Sequence, residues 1–284
     1  MPVLLAKEEV MSEQDKSKPI FESNHLKIKQ CRYGIMAFMP HDTYVGRSLD
    51  LYGEYCFPET RIISSVVMSG FTAIDAGANI GAHTVLMSKL VGSTGKVFSF
   101  EPQKAIFNIL CTNITLNRCI NVEAVNLGLG ASSKETRIKC INYSHENNFG
   151  SVSLGDHEDG EQIRITTIDG LNLKNCHFLK ADIEGMETEL LEGAQRTIQM
   201  FRPILYLEDN GGSDGARMFY KVKSMGYRCY WHNCVYFHEN NYYGNKLNVF
   251  PSRAAINMIC IPQEAEISVD VVEITDPAEH PFNV

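Results

Sequence analysis

The sequence predicts an α/β fold in which helices alternate with the strands of a mostly parallel sheet. From residue 71 onwards, short apolar runs alternate with helix-length segments that carry an apolar stripe. The first apolar run ends at Asp75 and is followed by a glycine-containing turn that leads into a helical pattern. Hydrophobic residues make up 44% of the 284 positions, which is enough to bury a large core.

The elements of the first half follow from their local patterns. "TAIDAG" at 72–77 is a short buried strand, and the segment 81–90 has apolar residues at helical spacing. "KVFSFEP" at 96–102 is a second strand that ends at a proline, 103–117 is a second helix, and "NVEAVNLGLG" at 121–130 is a third strand. Strands and helices that alternate at this spacing require right-handed crossovers and therefore parallel pairing.

The second half interrupts this rhythm and then resumes it. "ETRIKCIN" at 135–142 and "QIRITTIDG" at 162–170 alternate in polarity, which predicts an antiparallel pair, and a polar loop separates them. The insertion at 143–161 is expected to act as a mobile lid. Further strands and helices are predicted in turn over 176–185, 186–201, 202–209, 213–225, 227–232 and 254–262.

The chain divides into one catalytic domain between two tails. Residues 1–24 are predicted to be a flexible charged tail. The domain spans 25–262, with an N-terminal cap segment at 25–70 and the core at 71–262. Residues 263–284 are predicted to be an acidic tail.

Composition excludes several classes of function. A net charge of −8 without a cluster of Lys and Arg argues against a nucleic-acid partner. Nine scattered cysteines form no CxxC pair, which indicates free thiols in a reducing, cytoplasmic environment and predicts no metal site. No run approaches the roughly 20 apolar residues of a membrane span, and the apolar stretch at the N-terminus is too short for a signal peptide.

The turn after the first strand predicts a ligand site. Ligands of open parallel sheets bind at the carboxyl ends of the strands, which is where Asp75 lies. Gly77 and Gly81 leave room for a close approach, and the first turn of the following helix offers unpaired N–H groups to a carboxylate or phosphate. Asn79 either caps that helix or contacts the ligand.

A second acid narrows the ligand to a nucleoside. Glu101 ends the second strand, where a carboxylate can accept hydrogen bonds from both hydroxyls of a ribose. The turn G-A-N-I-G lacks one glycine of the dinucleotide fingerprint, and Asp75 would repel a pyrophosphate. An ammonium and a sulfonium group suit this site better, so the residues favour S-adenosylmethionine as cofactor.

Five segments of the chain resemble the FkbM family of S-adenosylmethionine-dependent methyltransferases. These segments are "YVGRSLDLYGEY", "AIDAGANIGAHT", "GKVFSFEPQ", "LKADIEGMETELLEGA" and "PILYLED". The resemblance runs from about residue 33 to residue 262. It implies a class I methyltransferase fold, a Rossmann-like three-layer α/β/α sandwich whose mostly parallel seven-stranded sheet has an antiparallel last strand. It also implies methyl transfer to a hydroxyl on a sugar, a glycan or a small metabolite.

The segment "KADIEG" and one histidine supply the predicted catalytic residues. Asp182 and Glu184 lie two residues apart at the end of a strand, beside the predicted site. Either carboxylate can take a hydroxyl proton, and Asp182 is also expected to face the methionine end of the cofactor. Alternatively, Glu184 caps the next helix and Asp182 bonds backbone groups. His83, in the first helical turn, is the other candidate base unless it faces solvent.

Two further cofactor contacts rest on the resemblance. Asn126 ends the third strand, where class I enzymes contact the adenine, and Glu54 lies in the segment that precedes the sheet in the family. The aromatic stretch at 230–243 is compatible with a sugar pocket and equally with a packed hairpin. The alternative functions are an NAD(P)-dependent oxidoreductase and a non-catalytic protein that binds S-adenosylmethionine or serves as a scaffold.

Overall fold

The structure, a computed structural model, describes residues 16–152, 154–155 and 159–281. Its strands are β1 (Pro19–Glu22), β2 (Lys27–Cys31), β3 (Gly34–Phe38), β4 (Thr72–Ala76), β5 (Lys96–Phe100), β6 (Val122–Val125), β7 (Gly128–Leu129), β8 (Lys134–Ile138), β9 (Leu154–Gly155), β10 (Glu161–Thr166), β11 (Phe178–Ala181), β12 (Ile204–Glu208), β13 (Tyr227–Val235), β14 (Ala254–Pro262) and β15 (Val272–Glu273). Its α-helices are α1 (Val45–Tyr52), α2 (Phe57–Val66), α3 (Ala82–Val91), α4 (Lys104–Leu116), α5 (Glu187–Glu192), α6 (Gln195–Phe201) and α7 (Gly212–Ser224).

The central sheet confirms the predicted fold class. Its strand order is β15-β13-β14-β12-β11-β4-β5-β6. The run from β6 to β12 is parallel, whereas β14 lies antiparallel to both of its neighbours. The last strand of the seven is therefore antiparallel, as predicted, and β15 adds an eighth strand at the edge.

Helices cover both faces of this sheet, because its central strands are apolar on both sides. All four residues of β11 are buried, as expected for a parallel strand between two helical layers. On one face, helices α2 and α3 pack on the sheet around Ile63 and Met87. On the other face, α5, α6 and α7 pack around Leu190 and Phe219. The result is the three-layer α/β/α sandwich.

The segment before the sheet forms a separate layer against helix α4. Strands β1, β2 and β3 make a small antiparallel sheet, and its buried residues join those of α1, α3 and α4 in one cluster. Asn113 on α4 is fully buried and fixes this layer. Its side chain bonds both the N–H (2.6 Å) and the carbonyl (2.9 Å) of Ala37, and it donates to the carbonyl of Ile80 at 2.7 Å.

The insertion between the third and fourth parallel strands of the core forms a four-stranded sheet of order β7-β10-β8-β9. The predicted antiparallel pair is confirmed, since β8 and β10 align from Lys134 to Ile138. Part of the predicted lid packs on the body, because Phe149 is buried and its carbonyl accepts a hydrogen bond from Gln103 at 3.0 Å. Residues 153 and 156–158 of the predicted lid lie outside the described residues.

Both predicted tails contain ordered elements. Strand β1 lies within 1–24 and pairs with β2, and strand β15 lies within 263–284 and pairs with Tyr230 and Trp231. Strand β15 covers the edge of β13 that would otherwise be unpaired. The acidic composition of residues 263–284 gave no indication of this strand. Residues 1–15 and 282–284 lie outside the described residues.

The helices are short compared with a membrane span. The longest of those described, α4 and α7, have 13 residues each, whereas a span needs about 20 apolar residues. Within the described part of the chain, no helix has both the length and the apolar character needed to cross a membrane.

The substitution Asn113→Ala is expected to lower the free energy of unfolding by about 1–3 kcal/mol, the cost of leaving buried backbone groups unpaired. Asn108→Ala on the exposed face of the same helix serves as the matched control and should change stability by less than about 0.5 kcal/mol. Urea denaturation checks both values. Equal effects of the two substitutions would contradict the anchoring role of Asn113.

Candidate active site

A cleft opens at the carboxyl edge of the central sheet. Its floor and walls include the turn between β4 and α3, the end of β5, and the loops that follow β11 and β12. Predicted residues on its surface are Gly77, Asn79, His83, Glu101, Asp182 and Glu184. The structure therefore brings most of the predicted site residues together at the edge where open α/β sheets bind ligands.

The turn after β4 has a left-handed backbone at three positions, Gly77, Asn79 and Gly81. Gly77 has a φ of +73°, and a Cβ there would lie 1.8 Å from the carbonyl oxygen of Asp182. Gly77 is therefore required for the close approach of the β11 loop to this turn. A Cβ at Gly81 would lie 2.6 Å from Leu110, so Gly81 serves helix packing, and it does not line the cleft.

Glu101 ties the turn to the end of β5. One carboxylate oxygen accepts a hydrogen bond from the N–H of Asn79 at 3.0 Å, and the other accepts one from the N–H of Gln103 at 2.9 Å. Burial raises the pKa of Glu101 to about 7, although these two bonds lower it. Each oxygen retains capacity to accept a further hydrogen bond, as two ribose hydroxyls would require.

Asp75 lies beneath the cleft rather than on its surface. Its side chain is fully buried and does not line the cleft. One oxygen accepts a hydrogen bond from the Thr84 hydroxyl at 2.6 Å, and the other lies 3.7 Å from Nζ of Lys180 without a hydrogen-bond partner. Asp75 therefore does not reach the surface of the cleft, which the neighbouring Lys180 does line. Its contact with the cofactor, direct or through water, stays a prediction.

Lys180 is a cleft residue that the sequence analysis missed. It is almost fully buried, and its Nζ lies 3.3 Å from Oδ2 of Asp182. Burial lowers the pKa of Lys180, but the carboxylates of Asp182 and Asp75 outweigh it and raise that pKa above its ordinary value. The sequence does contain a sign of this role, because Lys180 is a charged residue inside an apolar strand. It lies two positions before Asp182 and hence on the same strand face.

Three carboxyl groups meet at the ends of β11 and β12. One oxygen from each of Asp182, Glu184 and Glu208 lies within 4.8 Å of the others. Burial and the carboxylate of Asp182 raise the pKa of Glu184 to about 7 and that of Glu208 well above its ordinary value. With a pKa of about 7, Glu184 is partly protonated near neutral pH, so this acidic cluster can both accept and donate a proton.

The conformation and hydrogen bonds of Glu184 distinguish a cap of the next helix from a side chain that faces the cleft. Its φ is +56°, so the residue has already turned out of the strand. Glu187, not Glu184, accepts a hydrogen bond from the backbone N–H of Ile183, at 2.8 Å. Glu184 instead accepts a bond from the Ser151 hydroxyl at 3.3 Å. The carboxyl group of Glu184 is therefore directed towards the cleft and the insertion.

His83 faces the protein interior and the cleft, not bulk solvent. It is 5% exposed, and its Nε2 lies 3.2 Å from Oε2 of Glu59, within ion-pair distance but without hydrogen-bond geometry. Burial and the charge of Lys180 lower the pKa of His83 well below its ordinary value. Burial raises the pKa of Glu59 to about 8. The two side chains therefore form a neutral pair near pH 7, with the imidazole able to accept a proton.

Two predicted cofactor contacts lie away from the cleft. The side chain of Asn126 donates to the carbonyls of Glu101 (2.8 Å) and Pro102 (2.9 Å), so it supports the loop that carries Glu101. Glu54 forms an ion pair with Arg32 and accepts a hydrogen bond from the N–H of Tyr242 at 3.1 Å. Both side chains bond partners within the protein and neither lines the cleft, and their contacts with the cofactor stay predictions.

The strand order and the cleft at the carboxyl edge define a class I methyltransferase architecture. Residues 75–229, just over half of the chain, match the family model described as the methyltransferase FkbM domain. The chain therefore belongs to the FkbM methyltransferase family.

Known relatives are similar to part of the chain. Methyltransferase 1 of Beauveria bassiana (strain ARSEF 2860) is 26% identical over 144 residues, which cover 42% of this chain and 57% of the relative. Methyltransferase sdnD of Sordaria araneosa is 24% identical over 177 residues, which cover 51% of this chain and 66% of the relative. The chain thus spans less than two thirds of the length of these curated relatives.

Among solved structures, the methyltransferase FkbM of Methylobacillus flagellatus KT is similar to this chain at 16% identity and a TM-score of 0.43. The match covers 68% of this chain and 44% of that one.

S-adenosylmethionine is the cofactor that family membership supports, and the cleft residues fit it. The Glu101 carboxylate is buried and accepts one hydrogen bond on each oxygen, which leaves capacity for ribose hydroxyls. The first turn of α3 reaches the cleft at Ala82 and His83, where free N–H groups favour a carboxylate. The acidic cluster offers negative charge to a cationic group.

The substitution Glu101→Ala is expected to weaken S-adenosylmethionine binding by about 1.5–3 kcal/mol, the range for hydrogen bonds to a charged group. Calorimetric titration measures the dissociation constant. Glu123→Ala on the exposed end of the neighbouring strand β6 is the control and should bind like the wild type. An unchanged dissociation constant for Glu101→Ala would contradict the ribose role.

The same titration repeated across pH tests whether the negative charge of Glu101, rather than the shape of its side chain, holds the cofactor. Because the pKa of Glu101 is about 7, its carboxylate form grows about tenfold between pH 6 and pH 8. Wild-type affinity should rise with pH over this window, and Glu101→Gln should show a smaller rise. Identical pH profiles would contradict a charged acceptor at this position. Glu184, which titrates near the same pH, is unchanged in both proteins.

Proposed function

We propose that the protein is an S-adenosylmethionine-dependent methyltransferase that methylates a hydroxyl group on a sugar, a glycan or a small metabolite. One observation carries the proposal. The cleft that fits the cofactor also holds two kinds of proton acceptor, the neutral imidazole of His83 and the acidic cluster around Asp182. Transfer to a hydroxyl needs such an acceptor, because the oxygen must lose its proton.

Each part of the cleft has a separate task in this proposal. S-adenosylmethionine supplies an electrophilic methyl group carried by a sulfonium. Glu101 holds the ribose hydroxyls, and the first turn of α3 faces the carboxylate of the cofactor. The nucleophilic oxygen of the acceptor must lie close to the methyl carbon and in line with the bond that breaks, a requirement of positioning rather than of covalent catalysis.

Asp182 and His83 are the proposed proton acceptors. The base would take the hydroxyl proton as the oxygen bonds to the methyl carbon, and the sulfur of the cofactor would keep the electron pair of the broken carbon–sulfur bond. Asp182 is the first candidate because it lies beside the turn of Gly77, with Nζ of Lys180 at 3.3 Å from its carboxylate. His83 is the second, with Glu59 positioned to orient its ring.

The chemistry of the cleft favours a small polar acceptor. Asp182, Glu184 and Glu208 would repel the phosphates of a nucleic acid, and the whole chain carries a net charge of −8. Hydroxyl groups can donate to these carboxylates, and Tyr44 and Tyr236 offer aromatic faces to the C–H surface of a sugar. The cysteines found as free thiols support a cytoplasmic location.

The substitution Asp182→Asn is expected to lower kcat about 100-fold, the lower range for removal of a general base, with a much smaller effect on the dissociation constant of S-adenosylmethionine. Glu192→Gln on the exposed side of α5 is the matched control and should keep wild-type values. Methyl-labelled S-adenosylmethionine incubated with fractionated metabolite extract supplies the acceptor and the assay.

The product of that incubation tests the proposal directly. Label in an ether-linked methyl group of a sugar or small metabolite supports it. Label in carbon–methyl or nitrogen–methyl products alone, or the absence of transfer despite bound cofactor, would overturn hydroxyl methylation. Equal losses of kcat and affinity in Asp182→Asn would instead assign Asp182 to binding.

A further inference from the structure

Four metal-ligating side chains converge behind the cleft, and they come from only two elements. Cys56 caps the start of helix α2 and Glu59 follows in its first turn, three residues later and on the same helical face. His232 and Cys234 lie two residues apart on strand β13 and therefore share one face of the strand. Helix α2 packs against β13. This group is called the thiol cluster.

The atoms of the thiol cluster lie at the spacing of a metal site. One atom from each of Cys56, Glu59 and Cys234 lies within 4.8 Å of the others. Nδ1 of His232 lies 3.2 Å from Sγ of Cys234. Around a tetrahedral zinc ion with bonds of 2.0–2.3 Å, ligand atoms lie about 3.3–3.8 Å apart. The atoms of Cys56, Glu59 and Cys234 are near those separations, whereas Nδ1 of His232 would have to leave its 2.8 Å contact with the Tyr206 hydroxyl to become the fourth ligand.

Burial and hydrogen bonds from Asn257 hold the thiol cluster in place. Cys56, Glu59 and Cys234 are each less than 5% exposed. Asn257 donates one hydrogen bond to Oε1 of Glu59 at 2.9 Å and another to Sγ of Cys234 at 3.4 Å. A bound cation would stabilise these buried thiol and carboxyl groups in their ionised forms.

We propose that the thiol cluster binds a zinc ion through Cys56, Glu59, His232 and Cys234. Two thiolates and one imidazole select zinc over magnesium or calcium, which prefer oxygen ligands alone. Glu59 also lines the cleft, so the ion has a route of entry past this side chain. Two thiolates and one carboxylate around a dication leave a net charge of −1, which the ammonium of Lys180 helps to balance from the side of Glu59.

This site gives the cap segment a second anchor and touches the proposed methyl transfer only through Glu59. It would bridge residues 178 positions apart in sequence and link α2 to the edge region of the central sheet. Its ligand pairs are C-x-x-E on a helix and H-x-C on a strand. The sequence predicted no metal site because it contains no CxxC pair, and these two spacings differ from that pattern. Through Glu59, the ion would also fix the partner of His83.

Metal content tests the proposal without any methyl acceptor. Purified full-length protein is stripped with a chelator, incubated with zinc under reducing conditions, desalted and analysed by mass spectrometry for bound metal. About one equivalent of zinc per chain is expected for the wild type and less than a fifth of that for Cys56→Ser and Cys234→Ser. Cys176→Ser is the control, because Cys176 is buried among apolar side chains elsewhere, and it should retain zinc.

Cobalt substitution keeps the test valid if a cysteine variant fails to fold. Wild-type protein with cobalt should show intense thiolate-to-cobalt charge-transfer absorption that zinc displaces. Cobalt bound without that absorption, wild type that retains no metal, or equal retention by Cys234→Ser would overturn the proposal. Binding of S-adenosylmethionine, measured on the same zinc-free protein, reports separately on the proposed function.

Discussion

A buried ion pair between neighbouring strands of the central sheet holds together the residues that lie below the cleft. Lys180 on β11 and Asp75 on β4 are aligned in register and face the same side of the sheet, 3.7 Å apart. Ser99 and Tyr206 continue the row on the adjacent strands β5 and β12. Because neither charge reaches bulk water, Asp75 depends on Lys180 for compensation, while Asp75 and Asp182 together compensate Lys180. The row lies under helices α2 and α3, directly below the cleft.

This row connects the three functional regions of the molecule. At its centre, Lys180 also binds Asp182 at the cleft surface, 3.3 Å away. Towards β5, the Thr84 hydroxyl bridges Asp75 and Ser99, which holds the start of α3 against the cofactor turn. Towards β13, the Tyr206 hydroxyl lies 2.8 Å from His232 of the thiol cluster. The cofactor turn, the proposed proton acceptor and the proposed metal site therefore share one electrostatic environment.

The sequence was informative wherever local pattern determines structure. The period of the apolar residues predicted the parallel sheet and the β8–β10 pair, and the ends of strands predicted that Glu101 and Asp182 meet at one edge. It was uninformative where side chains from distant elements meet. Glu59 and Glu208 acquire their roles only when α2 and β12 pack beside the cleft. The burial and pairing of Asp75 likewise depend on its alignment with Lys180 in the neighbouring strand. The pattern of a single strand does not specify that alignment.

The most direct test of this account is the stability of Lys180→Met measured by chemical denaturation. The substitution keeps an unbranched side chain but leaves Asp75 buried without its counter-charge, so the free energy of unfolding should fall by about 3–5 kcal/mol. The double variant with Asp75→Asn should recover much of that loss, because it removes the uncompensated acid. If Lys180→Met is as stable as the wild type, or the double variant is no more stable than the single one, the buried pair does not organise the structure.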